Sequence, residues 1–177
     1  RSTLFPYTTL FRSRDFNLNN FQLSTINYQL DNAMKYFTDK ELRCKHCGQL
    51  PPSVKGNIEA LVANVLDPLR DQYGKPVYVT SGYRCPAHNT AVGGVPRSQH
   101  MAGEAADIHA GSPAANLELA KILASQNHFD QMILYVNSST DLKPRFIHVS
   151  YKLGGQNRHR ILKQVAGTDG YSLVLGL

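Results

Sequence analysis

The stretch Ser98-Gln99-His100-Met101-Ala102-Gly103-Glu104-Ala105-Ala106-Asp107-Ile108-His109-Ala110 limits what this chain can fold into more than any other. A histidine and an aspartate stand seven residues apart with small side chains and one glycine between them. The backbone is therefore free to reverse at Gly103 and then to run as a strand that packs closely through Ala105 and Ala106. Such a stretch either begins a metal site or is a polar turn into a strand, and its spacing alone leaves both open. His109, two residues beyond Asp107, falls on the same strand face.

A chain of 177 residues is long enough for one domain with its own core. Hydrophobic residues make up 42% and charged residues 18%, a globular balance, and no run approaches the roughly 20 apolar residues that a membrane helix needs. A soluble monomer without membrane insertion is expected. The net charge of +6 comes from 19 basic and 13 acidic residues, but the basic ones are scattered and form no stripe for nucleic acid. The opening RSTLFPYTTLFRS carries a near-repeat, STLF against TTLF, and resembles a translated sequencing adaptor. Residues 1–13 are accordingly read as a non-native artefact, 14–35 as a leader or linker, 36–165 as the folded domain and 166–177 as a C-terminal tail. On that reading the natural N-terminus and any signal peptide are missing, and localisation stays open.

Within the domain, Thr38 and Glu41 have capping-box spacing and predict a short helix ending near Gly48. After Pro51-Pro52, apolar residues at 58, 61, 62, 65, 66 and 69 predict a helix with one buried stripe, kinked or ended soon after Pro68. Val77 to Thr80 reads as a strand, and Ser112-Pro113 as the start of a helix whose apolar face is Leu117, Ala120, Ile122 and Leu123. DQMILYV and RFIHVSYK read as neighbouring strands. The pattern is that of an α+β fold, a small, mostly antiparallel sheet with helices packed on it. In RFIHVSY, strand alternation puts Phe146, His148 and Ser150 on one face, and a histidine buried there needs a partner.

The run SGYRCPAHNTAVGGVPRSQHMAGEAADI, followed by FDQMILY and FIHVSYK, resembles the zinc D-alanyl-D-alanine carboxypeptidase family. That family also contains phage endolysin peptidases and shares its metal site with the hedgehog signalling domain. Its pattern S-x-H-x-x-G-x-A-x-D is complete in Ser98, His100, Gly103, Ala105 and Asp107, and the likeness runs from about Tyr36 to Leu162. The resemblance implies a hedgehog/D-Ala-D-Ala peptidase-like fold, with Zn²⁺ held by His100, Asp107 and His148. It implies hydrolysis of peptidoglycan stem peptides, by a D,D-carboxypeptidase or an endolysin-type endopeptidase. Arg84 matches the family arginine that holds the substrate or the oxyanion, a task suited to a guanidinium; pairing with a core carboxylate such as Asp107 is the alternative. Ser98 and Gln99 would orient the ligands, and His88-Asn89 would shape the glycine turn.

Two positions depart from the family pattern. Arg145 stands where classical members place the glutamate that accepts the proton, three residues before the last histidine, and an arginine cannot act as a base. Other relatives carry an acidic residue where this chain has Tyr135. Asp130, Glu104 or a histidine such as His109 would then have to serve, or the domain is a catalytically degenerate module that binds zinc and cell-wall peptide. The three cysteines, an odd number, argue against a disulfide scaffold. Cys44, Cys47 and Cys85 are expected as free buried thiols, with a second metal site including His46 or His88, or a Cys47–Cys85 disulfide, as alternatives. His128 and His159 read as surface residues.

Overall fold

The computed structural model describes residues 34–177. Residues 1–13 and most of the 14–35 segment lie outside the described residues.

Helix α1 (Asp39–Leu42) opens as its capping box requires, with Glu41 accepting from the Thr38 backbone N–H at 2.9 Å. It ends at Leu42 rather than near Gly48. Arg43 is extended, and the Cys44 N–H turns away to the Gln49 carbonyl at 2.9 Å, which closes a loop in place of further helix. Helix α2 (Pro52–Leu61) continues through a π-helical turn, Val62–Leu66, into α3 (Asp67–Tyr73). The expected disturbance at Pro68 therefore falls on its N-terminal side and the helix survives it. Proline has no N–H to give the Asn64 carbonyl and its ring crowds that group. The wider turn relieves both problems: Asp67 N–H reaches back to the Val62 carbonyl, and Asn64 Nδ2 donates to the Ala60 carbonyl at 2.8 Å. Gly74, at φ 68°, stops the helix.

Strands β1 (Tyr78–Ser81), β2 (Ala105–His109), β3 (Gln131–Val136), β4 (Phe146–Ser150), β5 (Arg160–Val165) and β6 (Ser172–Leu173) form one sheet in the order β1-β2-β4-β3-β5-β6. All neighbours are antiparallel except β3 and β5. The fold is α+β with a mixed sheet. RILKQV carries no clean polar–apolar alternation, and its parallel pairing to β3 is what makes it a strand.

Helix α4 (Pro86–Ala91) and helix α5 (Pro113–Gln126) complete the elements among the described residues. Ser112 caps α5 through its Oγ, which accepts from Ala115 N–H at 3.2 Å. The buried face of α5 is Asn116, Leu119, Ala120 and Leu123, whereas Leu117 and Ile122 are only half-buried. The buried polar member, Asn116, donates to the Pro144 and Arg145 carbonyls at 2.9 and 2.8 Å and accepts from Ala110 N–H at 2.6 Å. With Asn116 on it, the buried face is rotated from the expected apolar stripe of Leu117, Ala120, Ile122 and Leu123.

The sheet separates two environments by its pleat. Ala106, Ile108, Met132, Leu134, Val136, Ile147 and Val149 point one way, into the core with Ile58, Leu61, Val65, Leu69 and Leu119 of the helices. Their neighbours Asp107, Gln131, Ile133, Tyr135, Phe146 and His148 point the other way, into a cavity of about 1400 Å³. Among the described residues, no helix is long and apolar enough to cross a membrane.

Candidate metal centre

Gly103 starts the site. It adopts φ 71° at the end of the 3-10 turn Gln99–Ala102, and a Cβ there would lie 2.8 Å from the Val54 carbonyl oxygen. Only glycine satisfies both demands. The reversal returns the chain along β2, so that His100 in the turn and Asp107 in the strand face one another. Asp107 pairs in register with His148 of β4, which brings in the third side chain from 41 residues away.

The three donors converge. His100 Nε2 lies 3.1 Å from Asp107 Oδ1, His148 Nδ1 lies 3.0 Å from the same oxygen, and the two nitrogens are 3.1 Å apart. Zinc–ligand distances of about 2.0–2.1 Å in tetrahedral geometry would place N and O donors roughly 3.3 Å apart, so this set fits zinc. His100 Nδ1 donates to the Gly82 carbonyl at 2.7 Å, which fixes the tautomer and leaves the Nε2 lone pair facing the other donors.

Burial pushes the His100 imidazolium towards its neutral form, lowering its pKa from the ordinary histidine value. For Asp107, burial acts upwards, but the His100 and His148 rings against its Oδ1 outweigh it and hold the carboxyl well below the usual range. Both shifts mean that the unfolded chain binds more protons, so stability is present above the unfolded pKa values and is lost as pH falls. We expect the metal-free protein to melt at steadily lower temperature as pH drops below roughly 6.5, the ordinary histidine value. Thermal melts in chelator across pH 5–8 check this; a melting temperature that does not move would refute it.

Arg84 reaches the site from the segment that follows β1. A bulge between Val79 and Ser81 brings Ser81 opposite Asp107. Arg84 Nη2 donates to Asp107 Oδ2 and its Nε donates to Ser81 Oγ at 2.8 Å. The arginine thus makes the core-carboxylate pairing and lines the cavity as well.

Several other expected residues fall elsewhere. His109 stacks on Tyr78, ring centres 5.3 Å apart, and its Nδ1 accepts from Gly111 N–H. Gln99 Nε2 donates to Asp130 Oδ2 at 3.0 Å and towards Glu104 at 3.5 Å, rather than to His100, Asp107 or His148. Asp130 is fully buried and gripped by Arg158, whose Nε and Nη2 donate at 2.8 and 2.5 Å. Burial raises its pKa, yet the Arg158 and Gln99 hydrogen bonds prevail and hold it below the ordinary carboxylate value. A carboxylate so occupied is a structural anchor, and Arg158 carried no signal in the sequence. Arg145 is exposed, with its guanidinium over the Phe146 ring. Tyr135 stacks on Phe146 at 4.3 Å and faces the cavity, its hydroxyl pKa pushed up by burial and by neighbouring Tyr171. Asn89 Nδ2 donates to the Val95 carbonyl at 3.0 Å and shapes the glycine turn. His128 and His159 are both exposed.

The cavity wall is basic. Arg84, Arg97, Lys152, Arg158 and Arg160 line it, against the carboxylates Asp107 and Glu104.

No curated protein matches this chain. The family model described as Peptidase M15 matches residues 35–150, which takes in every residue of the cluster and two thirds of the sequence. With its α+β fold and its two histidines and aspartate at the floor of the cleft, the chain belongs to the M15 peptidase family.

Proposed function

We propose that the protein is a zinc peptidase that hydrolyses peptide bonds in bacterial peptidoglycan stem peptides, as a D,D-carboxypeptidase or an endolysin-type endopeptidase. The convergence of His100, Asp107 and His148 in a basic cleft carries this reading. Bound there, zinc would supply a Lewis acid and an activated water at neutral pH.

The chain's own groups take the remaining tasks. Arg84 steadies Asp107 through Nη2, and its remaining N–H groups are available to a substrate carbonyl or carboxylate. Arg97, Lys152, Arg158 and Arg160 give the cleft the charge that suits the carboxylates of stem peptides. Tyr135, held protonated, is a hydrogen-bond donor at the position where relatives carry an acid. The proton acceptor falls to Glu104, since Asp130 is locked to Arg158 and Glu104 is the other cavity-lining carboxylate beside Asp107.

The test is incubation of the zinc-loaded chain with purified peptidoglycan, following new amino and carboxyl termini by mass spectrometry. Cleavage is expected, and Glu104→Gln should lower kcat by about 10²-fold or more while the zinc content stays constant. Undiminished activity in that variant removes Glu104 from the mechanism. The second reading, a degenerate zinc-containing module that binds wall peptide, rests on Arg145 and Tyr135 replacing the family acids. Zinc bound with no new termini would favour it.

A further inference from the structure

A second cluster lies apart from the cleft. The loop after α1 carries Cys44-Lys45-His46-Cys47, and the segment entering α4 carries Cys85-Pro86-Ala87-His88. The structure brings these C-x-x-C and C-x-x-H halves together from 41 residues apart. The sulfurs of Cys44, Cys47 and Cys85 all lie within 4.8 Å of one another, unbridged. His88 Nδ1 lies 3.4 Å from Cys44 Sγ. Tetrahedral zinc with S and N ligands separates its donors by roughly 3.6–3.8 Å, so the three sulfurs need only draw together, while His88, which touches Cys44 but lies outside their mutual 4.8 Å set, must turn inward to complete the site.

Two further observations separate this from a chance meeting of thiols. Backbone N–H groups aim at the sulfurs as at metal-bound thiolates: Cys85 N–H donates to Cys44 Sγ, and His88 N–H to Cys85 Sγ, both at 3.4 Å. In addition, residues 43–49 are exposed except for Cys44, so the loop has no apolar side chain to hold it down. A disulfide would use two sulfurs and strand the third beside an imidazole.

We propose that Cys44, Cys47, Cys85 and His88 form a structural zinc site, separate from the peptidase centre. Each thiol gives its proton to solvent as it binds, and the closed set of three sulfurs and one nitrogen leaves no position for water or substrate. The site staples the α1 loop to the segment that presents Gly82 and Arg84 to the cleft. His46, whose Nδ1 lies 3.9 Å from Cys85 Sγ, is exposed and stacks on His88 as a neighbour rather than a ligand.

Cobalt substitution of the full, reduced chain tests this without reference to catalysis. The His100, Asp107 and His148 set contains no sulfur, so a thiolate-to-cobalt charge-transfer band in the near ultraviolet reports the second site alone. We expect two metals per chain in the wild type, and one with an undiminished band in His148→Ala. Cys47→Ser, at an exposed position, should hold one metal and lose most of the band. His88→Ala should weaken the band and His46→Ala should not. On the unmutated zinc protein, a mercurial thiol reagent should release one zinc per chain. No band in the reduced wild type, or no zinc released by the mercurial, overturns the site; a band weakened by His46→Ala but not by His88→Ala overturns the choice of fourth ligand.

Discussion

Asp107→Ala is expected to lower the proposed peptidoglycan hydrolysis by at least about 10³-fold and to empty the proposed metal centre. Its Oδ1 is the atom on which His100 and His148 both converge, at 3.1 and 3.0 Å, and its Oδ2 takes the Arg84 guanidinium. Alanine removes the proposed ligand and with it the negative charge facing those three groups. The adjacent strand positions cannot replace it, because Ala106 and Ile108 carry no ligand atom and point into the core. Asp107→Asn separates the two losses. It keeps the shape and an oxygen but not the charge, and should melt closer to the wild type while remaining inactive. Metal content by elemental analysis and product formation by mass spectrometry check both variants; an alanine variant that keeps its zinc and its activity would refute the ligand assignment.

Gly82→Ala should destabilise the protein by about 3 kcal/mol, the upper part of the range for overpacked positions, and lower its melting temperature by roughly 6–12 °C. A Cβ at position 82 would overlap the Leu42 backbone, with the Leu42 Cα only 2.7 Å away. Backbone cannot rotate out of the way as a side-chain tip does, so α1 must move off the end of β1. That motion would break the Tyr83 N–H bond to the Leu42 carbonyl at 2.8 Å. It would also displace the Gly82 carbonyl that fixes the His100 tautomer. Urea unfolding should show the loss, and zinc affinity should fall with it. A variant as stable as the wild type would mean that α1 has slack at this contact.

Much of the helical layer was legible because burial there is periodic. The stripe Ile58, Leu61, Val62, Val65, Leu66 and Leu69 is buried at every position, as a helix packed on one side demands. Strands β3 and β4 were legible as short apolar runs rich in β-branched and aromatic residues, buried at most positions. Strand β5 was not, since its stability comes from pairing with β3 rather than from its own pattern. Likewise Asn116 belongs to the buried face of α5 only because three backbone partners meet it there.

By itself the sequence determined the local chemistry. The spacing of His100, Gly103 and Asp107 fixes a reversal into a strand, and a glycine at 103 is required by the backbone angle that reversal needs. The alternation in β4 fixes that His148 and Phe146 share a face. Tertiary structure alone decided which distant groups meet. Register between β2 and β4 sets Asp107 against His148, the β1 bulge brings Arg84 to Asp107, and burial beside Arg158 takes Asp130 out of consideration as a base. Such pairings depend on contacts between residues tens of positions apart, whose geometry is set by the packing of whole strands and leaves no trace in any short window of sequence.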